Sequence, residues 1–254
     1  MTRDHIVKSF SVELRNLTNL IARMGGAAEA QIDAVIQAVV KRDIALAERV
    51  IKGDVQLDTY ERDVDAEAIR LLALRQPMAQ DLREILSALK VAADLERIGD
   101  HAANIAKRSL VLSQLPMVRP AAAIPRMGRL VSEILKDVLD AYTDRDLARA
   151  TAAWRRDEEL DELHTSLFRE VLTYMMEDPR TITPCTHLLF MAKNLERIGD
   201  HATNIAETIH FMVVGAPPTE ARPKGDRSSL AIAGGEVGGE VGDEAGDEAG
   251  EHAT

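Results

Sequence analysis

The chain has 254 residues, of which 46% are hydrophobic and only 3% aromatic, with one cysteine and a formal charge of −11. That length accommodates one large or two small domains around a real core, and the acidity argues against a nucleic-acid binder, which needs a basic stripe. The lone Cys185 excludes an internal disulfide and a thiolate metal cluster.

Ala, Leu, Arg and Glu dominate, and the prolines cluster in a few places, so the chain reads as all-helical. Asp4 is placed to cap a first helix running to about Lys41, with Phe10, Leu14, Leu17 and Ile21 at helical spacing and a weak point at Gly25-Gly26. Asp43 caps a second helix to about Arg75, closed by Gln76-Pro77. A third ends near Val111, and residues 116–125, bounded by prolines, form a linker. The scheme then recurs: a helix to Tyr142, a cap near Asp144, a long helix to Met176, a break at Asp178-Pro179, and a last helix over about 182–213. Cys185 falls near the start of that helix as a small core residue, and Trp154 and the methionines fall at core spacing.

The recurrence is written into the residues. LERIGDHAANIA at 95–106 returns as LERIGDHATNIA at 195–206, differing only at Ala103 and Thr203. Asp43-x-x-x-Ala47 matches Asp146-x-x-x-Ala150, and Asp54 and Asp58 match Asp157 and Asp161, at an offset of 103. An internal duplication fixes the architecture before any single residue is interpreted. The expectation is six long antiparallel helices as two tandem three-helix bundles, one over 1–115 and the other over 119–214. From 215 to 254 Gly, Ala, Asp and Glu dominate, which is too polar and Gly-rich to bury a core, so this tail is expected to be disordered. It carries −6 of the −11. No signal-peptide pattern opens the chain, and no stretch approaches the ~18 uncharged apolar residues of a membrane span. A soluble, cytoplasmic protein is expected.

On the third helix of each repeat an apolar seam is expected to face the core: Val91, Leu95, Ile98, Ala102 and Ile105, matched by Met191, Leu195, Ile198, Ala202 and Ile205, with Ile209 and Met212 extending it. Glu96 and Asp100 lie roughly opposite that seam, one turn apart, as do Glu196 and Asp200. Two carboxylates at i,i+4 repel unless a cation sits between them. Gly99 and Gly199, mid-helix at a cost of about 1 kcal/mol relative to Ala, imply that something comes close there. The pattern (E/D)-x-x-x-D alone is weak, since nine aspartates here have an acid four residues earlier. Only Asp54/Asp58, Glu96/Asp100, Asp157/Asp161 and Glu196/Asp200 recur at equivalent places in both repeats, two pairs on adjacent helices of each unit. Spacing leaves two readings open: clusters for hard or borderline cations such as Mg²⁺, Mn²⁺ or iron, or solvated acidic faces partly relieved by Arg97 and Lys193. His164, three residues after Asp161, is a possible nitrogen ligand, although Glu61 takes the matching place in repeat one. His101 and His201 read as surface residues. Asn104 and Asn204 either support the carboxylates or bond a neighbouring helix. Glu207-x-x-His210 is the only Glu-x-x-His pair within the helices, so a carboxylate-bridged di-iron bundle lacks its second copy.

The doubled LERIGDHAxNIA, with LRNLTNLIARMG and YMMEDPRTITPCTHLLFMAKNLERIGDHATNIAE around it, resembles the PhoU family over about residues 1–214. The resemblance implies two tandem three-helix bundles, a homodimer, and divalent or trivalent metal ions in multinuclear clusters at the (E/D)-x-x-x-D motifs, with iron, manganese, magnesium and zinc all open. It carries over to Asp54, Asp58, Glu96, Asp100, Asp157, Asp161, Glu196 and Asp200. It also implies a regulator of phosphate uptake that links the ATPase subunit of a phosphate ABC transporter to a membrane sensor histidine kinase and holds the phosphate-starvation response off when phosphate is plentiful.

Two function classes follow: a non-enzymatic adaptor, and a carboxylate-cluster metalloenzyme of hydrolase or redox type. The adaptor is favoured because no general base, nucleophile or oxyanion donor accompanies the carboxylates, and no P-loop, G-x-S-x-G or dinucleotide fingerprint is present. Since no element of either repeat needs the tail, truncation after Gly215 is expected to leave helicity and melting temperature nearly unchanged, as circular dichroism would show.

Overall fold

The computed structural model describes residues 2–75 and 77–220, with side chains from Val12 onward apart from Arg75. Unit one is α1 (Thr2–Lys41), α2 (Ile44–Arg75) and α3 (Ala79–Leu112). Unit two is α4 (Ile124–Asp144), α5 (Leu147–Arg155), α6 (Asp157–Glu177) and α7 (Ile182–Val214), with single 3-10 turns at Arg119–Ala123 and Pro179–Thr181. No strand occurs among the described residues.

Each unit turns its first corner in the same way. Arg42 and Arg145 adopt left-handed backbone, φ 54° and 56°. The amides of Asp43 and Asp146 reach back to the carbonyls of Ala38 and Ala141, at 2.9 and 3.0 Å. The aspartates then cap the next helix, accepting from the amides of Leu46 at 2.9 Å and Arg149 at 3.0 Å. One Arg-Asp pair thus closes a helix and opens its successor. The capping residue in unit two is therefore Asp146, not Asp144. Arg42 further places Nη2 2.7, 2.7 and 2.6 Å from the carbonyl oxygens of Leu112, Ser113 and Leu115, satisfying the exposed end of α3. Gly215, at φ 88°, ends α7.

Three expectations change. Asp4 lies inside α1, which begins at Thr2 and continues unbroken through Gly25-Gly26. The middle helix of unit two is interrupted at Arg156, the position of Gly53 in unit one. There the Arg156 guanidinium sits 2.5 Å from Glu133 and 3.4 Å from Asp137, while Arg149 sits 3.0 Å from Asp137 and 2.6 Å from Asp140. Unit one has Ala30, Ala34 and Gln37 in place of those three acids. Asp157, Glu158 and Glu159 then fill the first turn of α6, where the helix dipole favours negative charge. Finally, residues 216–220 lie against unit two: the Ala216 carbonyl is 2.8 Å from His210 Nδ1, and Glu220 pairs with Arg155 at 3.5 Å. The tail from 221 onward lies outside the described residues.

The expected seams of α3 and α7 are buried throughout, as are Cys185 and Trp154. One continuous apolar core runs through both units because α3 packs along α7 and α1 against α4. Both contacts obey the repeat. A Cβ on Gly25 would meet Leu139 Cδ2 at 2.7 Å, and a Cβ on Gly128 would meet Ile36 Cδ1 at 2.4 Å. Gly25 is equivalent to Gly128, and Ile36 to Leu139, so each helix offers the other the same aliphatic knob and the same glycine notch. Between α3 and α7, His101 and His201 lie with ring centroids 5.5 Å apart. Their Nδ1 atoms are 3.0 Å from Asn194 Oδ1 and 2.9 Å from Asp94 Oδ1. These histidines are half-buried interface residues, which corrects the surface reading. Asn204 joins them by donating to Asp94 at 3.3 Å.

Filling a notch should cost stability in a way its knob can repair. Gly128→Val is expected to destabilise by about 1–3 kcal/mol through overpacking. Combining it with Ile36→Ala should cost less than the sum of the single changes, a coupling measurable by a denaturant double-mutant cycle.

Candidate metal centres

In unit one, α2 lies so close to α3 that a Cβ on Gly99 would stand 2.2 Å from Leu57 Cδ1 and 3.1 Å from Asp54 Oδ1. The glycine is required by this approach, as its mid-helix position implied. Asp54 is thereby held against the stretch of α3 that bears Glu96 and Asp100, all three half-buried. Burial, and then the neighbouring Asp100 and Asp58 carboxylates, push the Asp54 carboxyl up to about 6. Burial likewise raises Glu96, with Asp100, Glu61 and Asp58 adding to it against the partial relief of Arg97. Glu61 is itself raised, by burial and by Asp65 and Asp58. The cationic relief of these acids is loose: Arg97 lies 3.5 Å from Glu96 and 3.5 Å from Asp100, and is itself well exposed.

Unit two repeats the approach with different partners. A Cβ on Gly199 would meet Leu160 Cδ2 at 2.3 Å and Asp157 Oδ1 at 3.3 Å. Asp157, Asp161, His164 and Glu196 are buried, and Asp200 is half-buried. Lys193 places its ammonium 2.7 Å from Glu196 Oε1. The matching position in unit one is Ala93, so this ion pair has no equivalent there.

Among the described residues no three His, Cys, Asp or Glu side chains are already gathered tightly enough to hold a metal ion. In unit one, like charges in a partly shielded space raise one another's proton affinity. The donor chemistry nevertheless fits a cation. Oxygens converge from two helices, a glycine leaves room beside them, and the repulsion among the carboxylates calls for positive charge. Asp54, Asp58, Glu96 and Asp100 would hold it in unit one, and Asp157, Asp161, Glu196 and Asp200 in unit two. Residue spacing did not single out Glu61 as a member of the first cluster, although its equivalence to His164 pointed there. It also missed Gln31 of α1, whose Oε1 would lie 3.4 Å from a Cβ on Gly99.

The fold and these clusters define a class: a tandem duplicate of three-helix units, joined by one core, with an acidic cluster between the second and third helix of each. The family model described as "PhoU domain" matches residues 21–109 and 124–209, one match in each unit. Over 224 residues the chain is 57% identical to the phosphate-specific transport system accessory protein PhoU homolog of Caulobacter vibrioides, covering 88% of this chain and 97% of that protein. The homolog of Rhizobium meliloti is 51% identical over 230 residues, covering 90% of this chain and 97% of that protein. The crystal structure of PhoU from Pseudomonas aeruginosa aligns with TM-score 0.79 at 38% identity, over 82% of this chain and all of that one. That of the phosphate transport system regulatory protein PhoU from Streptococcus pneumoniae aligns with TM-score 0.78 at 28% identity, over 83% of this chain and all of that one. This chain belongs to the PhoU family. Its relatives are named as accessory and regulatory proteins, not as enzymes.

The raised Asp54 gives a pH signature. A carboxyl with a folded value of about 6, above its ordinary 3.8, costs nothing at low pH. The cost grows as pH rises through that window and is complete above it. In chelator-treated protein, Asp54→Asn is therefore expected to match the wild-type melting temperature near pH 4 and to exceed it by roughly 2–4 °C at pH 8. Thermal unfolding at the two pH values checks this.

Proposed function

We propose that this chain is a non-enzymatic regulator of phosphate uptake and of the phosphate-starvation response. It acts as a cytoplasmic homodimer between the ATPase subunit of a phosphate ABC transporter and a sensor histidine kinase, and it holds the response off when phosphate is plentiful. The observation that carries this reading is the family match in both units, together with near-full-length relatives named for a phosphate-specific transport system. Two further features agree with it. No helix among the described residues is long and apolar enough to cross a membrane. The acidic clusters occur as two copies, which suits a binding surface better than a single catalytic cleft.

In this reading the eight carboxylates of the two clusters bind metal ions. A bound cation would add countercharge between the carboxylates, and the side chains do the rest. Leu57 and Leu160 set the depth of the middle helix over Gly99 and Gly199, and Asp54 and Asp157 are carried with it toward the third helix. Arg97 and Lys193 hold Glu96 and Glu196 at the edge of each cluster. The long helical faces remain for partner proteins.

A strain lacking this chain is expected to express phosphate-starvation genes, or to take up phosphate to a toxic level, in phosphate-rich medium. A starvation-promoter reporter and radiolabelled phosphate uptake check this. Normal expression together with normal uptake would overturn it.

A further inference from the structure

Gln31 is a polar residue on the apolar face of α1, 9% exposed, between Ala28, Ile32 and Val35, which are fully buried. Its amide lies between two glycines. A Cβ on Gly53 of α2 would be 3.6 Å from Nε2, and a Cβ on Gly99 of α3 would be 3.4 Å from Oε1 and 3.1 Å from Asp54 Oδ1. The amide oxygen and the Asp54 carboxylate oxygen thus lie close to one point at the edge of the first acidic cluster. Oε1 is sealed from water and accepts no hydrogen bond. A buried acceptor without a donor is costly, whereas a leucine of nearly the same shape would carry no such cost. In unit two the equivalents of Gln31 and Gly53 are Ile134 and Arg156, so the arrangement belongs to unit one alone.

We infer that Gln31 Oε1 is an additional oxygen donor to a cation held by Asp54, Glu96 and Asp100, and that it makes unit one the hard-cation site of the pair. An amide oxygen adds a ligand without adding to the repulsion among carboxylates. With the carboxylates it makes an all-oxygen set of the kind preferred by Mg²⁺ and Mn²⁺. Unit two offers a different chemistry, with Lys193 on Glu196 and the buried imidazole of His164 where unit one has Glu61. A nitrogen donor and a less negative set suit a borderline ion such as Zn²⁺. The inference rests on the reading that the clusters take metal, and its test separates the two.

The full chain is stripped with chelator and titrated with Mn²⁺, following free Mn²⁺ by electron paramagnetic resonance and binding heat by calorimetry. Gln31→Leu is expected to weaken the tighter class of Mn²⁺ site by about tenfold or more, while Gln31→Glu, which keeps an oxygen donor, retains it. In the metal-free state Gln31→Leu is expected to melt no lower than wild type, because the orphaned oxygen is gone. Unchanged Mn²⁺ affinity in Gln31→Leu overturns the inference. So does a lowered metal-free melting temperature with unchanged affinity, which would mean that the amide faces the other way and Nε2 donates to Asp54. If Gln31→Leu binds as wild type while Glu96→Gln loses Mn²⁺, only the role of Gln31 falls. If wild type binds no Mn²⁺, the metal reading falls with it.

Discussion

The geometry of both acidic clusters depends on one contact, a leucine of the middle helix seated over a glycine of the third. Leu57 on Gly99 and Leu160 on Gly199 bring two helices closer than any side chain at the glycine would allow. The close approach buries the face of α2 and of α6 that carries Asp54 and Asp157. A helix presents residues three and four apart on one side. The leucine that seats the helix therefore fixes the height of the acid three positions before it. The raised proton affinity of Asp54 and the pocket that receives Gln31 both follow from that depth.

Equivalent backbones carry different chemistry in the two units. Both use an Arg-Asp corner and a leucine-glycine seat, so the frame is duplicated faithfully. Around the frame, unit one surrounds its cluster with Gly53, Glu61, Ala93 and Gln31, and unit two with Arg156, His164, Lys193 and Ile134. Unit one is left with negative charge that the exposed Arg97 relieves only in part. Unit two holds a lysine ammonium among its carboxylates and spends two further arginines on Glu133, Asp137 and Asp140 of α4. Divergence has acted on charge while the packing stayed fixed.

Much of this was legible in the sequence because it is local or repeated. Asp43 as a cap, Pro77 as a stop and the seams of α3 and α7 are written within one or two turns of chain. The duplication then located the middle helix and its acids. What escaped depends on partners distant in sequence. Arg156 is a good helix former, and nothing in its neighbourhood announces a break that rests on carboxylates from α4. A helical wheel gives the angle of His101 but not the identity of what lies there, so a face that looked solvated proved to meet α7. Gln31 has no counterpart in the other repeat, so the device that exposed the acids passed over it. Its one signal was a polar side chain among the apolar residues of α1.

The reciprocal contacts across the centre of the molecule have the logic of a two-fold interface, in which a patch meets its own copy. Here the copies belong to one chain, and that frees them from a rule every true homodimer obeys. In a symmetric pair, a change on one side is imposed on the other. The His101–His201 junction sets Asp94 against one ring and Asn194 against the other, a charged acceptor facing a neutral one. Two identical subunits could not build it, because an aspartate at that position would appear on both sides. Covalent linkage also removes the dependence of such a contact on protein concentration. The centre of the fold can therefore hold an unequal pair, an aspartate on the side of unit one and an amide on the side of unit two, which tells the two halves of a duplicated frame apart.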